Sequence, residues 1–167
     1  MILSNTNEIN QSFKERMVWW YAKLNNVKLK IWQDQWLDFI LCWMIFDAYL
    51  TEISQIGVDR DKLNYFYKNK SDFKDGVLQS WNSLMVYINQ LKELSPIQDM
   101  RPNNNNKIYL KDENNLEQVF DFIYQIRCNL FHGSKDIKNQ KDFELVRYAD
   151  KFLRCSVDYW MKGKNFK

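Results

Sequence analysis

Apolar residues recur along this chain at intervals of three and four, over stretches too long for strands, and that period predicts helices. A first helix is expected over about 8–24, with Phe13, Met17, Trp20 and Leu24 on one face. A second covers about 33–52, where Phe39, Trp43, Phe46 and Leu50 repeat the spacing. A short helix is expected over 59–68. A third long one starts near Ser71, a good N-cap with acidic Asp72 behind it, and reaches about 94, with Gly76 weakening its first turns. The pattern fails from about 95 to 114. There Pro96, Pro102 and an Asn run at 103–106 read as a surface loop, with 107–110 as a short extended piece. Helix resumes with Asn114 or Asn115 as cap. Leu116, Val119, Phe120, Ile123, Arg127 and Leu130 follow one face, and Gly133 is the expected stop. The last helix covers about 141–161, offering Phe143, Val146, Phe152, Cys155 and Tyr159 to the core. The expectation is an all-α antiparallel helical bundle of four long helices plus short ones, a single domain over 1–167.

Composition agrees. Four Gly and two Pro in 167 residues leave few breaks for a turn-rich β fold, and aromatic residues at 16% can fill a large core. The most apolar run, 39–46, lies between Asp38 and Asp47 and is far too short to span a bilayer, so no membrane partner is expected. The first residues lack the basic region and long apolar stretch of a leader, and three cysteines, Cys42, Cys128 and Cys155, make no disulfide framework. Both features predict a reducing, cytoplasmic setting. A formal charge of +3 permits nucleic-acid binding without requiring it.

The chemistry concentrates at 126–135. Arg127 precedes the single histidine, His132, by five positions, a rise of about 7.5 Å if the helix persists. A guanidinium neutralises phosphate charge and an imidazole moves a proton near neutral pH, so the pair suffices for RNA cleavage without a metal. Lys135 and Lys138 follow and could track a phosphate backbone. Asp47 is a carboxylate in an apolar helix and needs a partner; Arg127 is one candidate, another cation or solvent the alternatives. No Gly-rich phosphate loop and no paired Cys/His spacing is present, so neither cofactor nor metal is expected.

The wording from Ile126 to Lys135 resembles the Arg-Asn-x-Leu-Phe-His-Gly segment of HEPN domains, small helical proteins that include many endoribonucleases and toxins. The stretch 41–49, Leu-Cys-Trp-Met-Ile-Phe-Asp-Ala-Tyr, is similar to a Leu-Trp-Ile-Ala-Phe-Asn-Ala segment of one branch. Two departures stand out. Cys128 replaces the usual polar residue after the arginine, with Asn129 available as a substitute, and Ser134 replaces a Tyr found where a nucleotidyltransferase antitoxin acts. The resemblance implies a HEPN-like bundle with Arg127 and His132 as catalytic residues. It also implies a homodimer whose motif helices meet near the two-fold axis, RNA as substrate, a 2′,3′-cyclic phosphate product, and an antitoxin or regulatory protein as a further partner. A non-catalytic module of the same fold, binding RNA, a nucleotide or a protein, is the alternative, and a purely structural helical dimer the third.

Overall fold

The computed structural model describes residues 13–15, 17–18, 21–22, 33–100, 106–131 and 139–163. Among these the chain is all-α. Helix α1 contributes residues 13–15, 17–18 and 21–22, followed by α2 (Gln33–Ser54), α3 (Asp59–Lys68), α4 (Asp72–Gln79) and α5 (Trp81–Glu93). A two-residue antiparallel pair, β1 (Ile97–Gln98) with β2 (Lys107–Ile108), leads into α6 (Leu116–Phe131) and α7 (Gln140–Gly163).

Local chemistry explains most boundaries. Ser71 Oγ accepts the Lys74 amide to start α4, and Asn115 Oδ1 accepts the Gln118 amide to start α6. Asn139 does the same for Lys141 and Asp142 at the start of α7. Helix α2 ends where Gln55 takes a positive φ of 57°, its amide still bonded to the Thr51 carbonyl.

One expected helix is two. At Ser80, φ −100° and ψ 7°, α4 gives way to α5. The apolar positions Phe73, Val77, Leu84, Ile88 and Leu91 keep a helical period across the break, so the pattern conceals it.

Helix α7 is the hub, packing against α2, α4, α5 and α6. Its buried face is Leu145, Val146, Ala149, Phe152, Leu153, Val157 and Trp160. The expected Phe143 and Cys155 are only half-buried, and Tyr159 is 38% exposed. The expected stripes on α2 and α6 are buried, apart from half-buried Arg127 and Leu130. On α1, Phe13 and Met17 are buried, while Trp20 and Leu24 lie outside the described residues, as do Pro102 and the Asn run at 103–105.

One hydrophobic cluster joins all the helices. Its centre is aromatic: Phe46 meets Phe66, Phe73 and Phe120 at centroid distances of 5.6, 5.0 and 5.2 Å, and Trp160 closes on Tyr49 and Phe73. Such pairs add about 0.5–1.5 kcal/mol each beyond burial. Among the described residues no single helix is long and apolar enough to cross a membrane.

Candidate functional site

Helix α3 is anchored on α6 before Arg127 enters the picture. Arg60 grips both oxygens of Asp121 at 2.7 and 2.9 Å, and the Tyr67 hydroxyl donates to the same carboxylate at 2.6 Å. That attachment sets the first residue of α3, Asp59, beside the C-terminal part of α6.

Arg127 reaches across to it. Its Nη2 lies 3.1 Å from Asp59 Oδ2, with the two side chains 24% and 29% exposed. The guanidinium carbon sits 4.6 Å from the Phe131 ring centroid and 5.7 Å from that of Trp43 on α2, within cation–π range of both. Trp43 in turn packs against Tyr124 at 5.8 Å. Arg127 Nε is buried and lacks a hydrogen-bond partner. Phe131, at the end of α6, is 55% exposed. An arginine head therefore lies where buried aromatic surface gives way to solvent, with two rings within cation–π range and one amino group on a carboxylate.

Asp47 does not pair with Arg127. Its Oδ1 accepts from Lys62 Nζ at 2.9 Å, and Lys62 also reaches Asp59 Oδ1 at 3.4 Å. Lys62 is only 5% exposed, so it needs a carboxylate to offset its lost hydration, and Asp47 is the nearer of the two. The result is a chain of alternating charge, Asp47–Lys62–Asp59–Arg127, in which Asp47 acts on the arginine only through two intermediaries. Asp59 and Lys62 are the residues that sequence reasoning passed over. A signal existed: Lys62 shares the buried face of α3 with Leu63, Phe66 and Tyr67, and a lysine there requires an acid.

Asn129 has an internal role. Its Nδ2 donates to the Gln98 carbonyl at 2.7 Å, while its Oδ1 accepts from the Met100 amide and from Gln125 Nε2. Gln125 Nε2 also contacts Asp99 Oδ1 at 3.2 Å, and Asp99 is fully buried. The amide of Asn129 thus straps the segment after β1 onto α6 rather than standing in for a polar residue at 128. Cys128 is buried against Tyr124, whose hydroxyl is pushed up to about 12 by burial first and by Cys128 second, with Arg127 opposing. His132, Gly133, Ser134, Lys135 and Lys138 lie outside the described residues. Among the described residues no group of three or more His, Cys, Asp or Glu is placed to hold a metal ion.

A second ionisable cluster lies between α2 and α7. Asp150 is 7% exposed, and its Oδ1 is buried without a hydrogen-bond partner. Burial, then the nearby Asp38 charge, push its carboxyl up to about 7 against the pull of Arg154, Lys151 and the Cys42 thiol. Arg154 pairs with Asp38 at 3.4 Å. The Cys42 thiol is itself pushed up, by burial foremost and by Asp150 next.

Neither protein-family models, nor curated proteins, nor solved structures give a match to this chain.

Proposed function

We propose that this chain is a HEPN-like, metal-independent endoribonuclease of toxin or defence type, with Arg127 and His132 as its catalytic pair. The observation that carries the reading is the setting of Arg127: a partly open guanidinium at the end of α6, held by one carboxylate and two rings. That setting is suited to a phosphate whose charge grows in the transition state. The family wording around it supplies the rest.

In the proposed reaction His132 takes the proton of a ribose 2′-hydroxyl as its oxygen attacks the adjacent phosphorus. The bond to the 5′-oxygen breaks, a protonated His132 from a second copy gives that oxygen its proton, and a 2′,3′-cyclic phosphate remains. Arg127 offsets the extra negative charge on the five-coordinate phosphorus. Two copies are needed because one imidazole serves acid and base poorly in a single turnover, and two-fold pairing is the commonest assembly.

The test is cleavage of a 5′-labelled single-stranded RNA in excess chelator. His132→Ala should lower the rate by roughly two to four orders of magnitude. Arg127→Lys should keep most RNA affinity while losing most cleavage. Activity that survives His132→Ala, or a wild type that leaves RNA intact, would refute the reading.

The second reading, a non-catalytic binding module, draws on one observation. Asp47 and Asp59 together balance Lys62 and Arg127, so the guanidinium meets an incoming phosphate with its charge already matched. Binding of a protein partner, with RNA neither held tightly nor cleaved, would favour it.

A further inference from the structure

The charge chain ending at Arg127 has more parts than a structural tie needs. The Arg127–Asp59 pair is half-buried, and a single carboxylate would suffice to balance the arginine. Yet Asp59 is itself fixed twice over. Lys62 bonds it at 3.4 Å from within the same helix, and Lys62 is bonded at 2.9 Å to Asp47 on α2. Helix α3 is pinned to α6 separately through Arg60, Tyr67 and Asp121, so the place of Asp59 does not depend on Arg127. The direction of constraint therefore runs from Asp59 to Arg127. The rings of Phe131 and Trp43 lie within cation–π range of the guanidinium, and Asp59 restricts its rotation by holding Nη2.

We propose that Asp59 is a positioning residue of the Arg127 site: by holding Nη2 it fixes which edge of the guanidinium remains for the phosphate, with Lys62 and Asp47 holding Asp59 in turn. The role rests on the endoribonuclease reading given above. Its physical basis is that orientation set before the reaction lowers the barrier without tightening ground-state binding, and that a misplacement of about 1 Å can cost on the order of 100-fold in rate. An arginine free to swing still attracts phosphate. It neutralises the transition state less well.

Asp59→Asn is the informative variant, because it keeps size and a hydrogen-bond acceptor but removes the charge, while Arg60, Tyr67 and Asp121 still hold α3. Three measurements on the full chain separate the possibilities. Single-turnover cleavage at saturating labelled RNA should fall by about 100-fold, affinity for the same strand blocked by 2′-O-methyl groups should stay at the wild-type value, and the melting temperature should move by a few degrees at most. The Nε–H nitrogen resonance of Arg127 should move from its wild-type position toward that of a solvent-averaged arginine. Wild-type cleavage by Asp59→Asn beside an inactive Arg127→Ala would overturn the positioning role and leave the nuclease reading standing. So would an unmoved Arg127 resonance, or a lowered melting temperature with full activity in the folded fraction. A wild type that cleaves no RNA would remove the reading and this role together.

Discussion

Asp150→Asn should make this protein more stable at mildly alkaline pH and flatten its dependence on pH. The carboxyl is held at about 7 in the folded protein, against 3.8 for an unperturbed aspartate, because α2 and α7 close over it and Asp38 stands nearby. Between those two values the folded state keeps a proton that the unfolded state releases. Stability from this group is thus complete below about pH 4 and is lost as pH rises toward 7, opposite in sign to an ion-paired carboxylate. At about 1.36 kcal/mol per pH unit, the span amounts to on the order of 4 kcal/mol. An asparagine imitates the protonated form at every pH and leaves the Asp38–Arg154 pair in place. Urea unfolding followed by far-ultraviolet circular dichroism, at half-unit steps from pH 4.5 to 8.5, gives both stabilities. Their difference cancels the other titrating groups. It should grow in favour of the variant through that range and level off above pH 7. A flat difference, or a variant that loses ground as pH rises, would refute the account of a carboxyl kept neutral by its surroundings.

Two further outcomes follow from packing. Gly76→Ala should raise stability by about 0.5–1 kcal/mol, since a methyl group there would meet only the Trp160 backbone at 3.8 Å; a drop in the urea midpoint would contradict that geometry. Asn129→Ala should cost about 2–3 kcal/mol by leaving the Gln98 carbonyl and Met100 amide without their partner. Hydrogen exchange at Met100 should then accelerate relative to the core helices, and an unchanged rate would show that the strap is held elsewhere.

The sequence made the helices legible where each carries its own punctuation. Helix α3 starts and stops at the expected residues because acids open it and Lys68 closes it; α6 has Asn115 and α7 has Asn139. The break at Ser80 was hidden because both pieces bury residues in one continuous phase. On α7 the expected set straddles the edge of the buried face: Val146 and Phe152 lie within it, Phe143 and Cys155 at its margin and Tyr159 outside. Burial instead follows the stripe of Leu145, Ala149, Leu153 and Trp160. The position of Arg127 near the end of α6 could be read from the sequence, and its ion pair could not. Its partner comes from a helix 68 positions earlier, and nothing local to Asp47 or Asp59 announces which of them meets the arginine and which meets Lys62.

Because α7 is the hub, the order in which a ribosome delivers this chain matters. Asp38 and Arg154, which meet across α2 and α7, are separated by 116 positions, and Tyr49 meets Trp160 across a similar gap. Helices α2 and α4 emerge before α7, carrying Tyr49 and Phe73, whose rings pack against Trp160 of the later helix. The nascent chain must therefore keep a large apolar surface unpaired until Trp160 clears the exit tunnel, a period in which chaperone capture and self-association compete with folding. For a helical protein the loop closure involved is long, and refolding in vitro should be correspondingly slow.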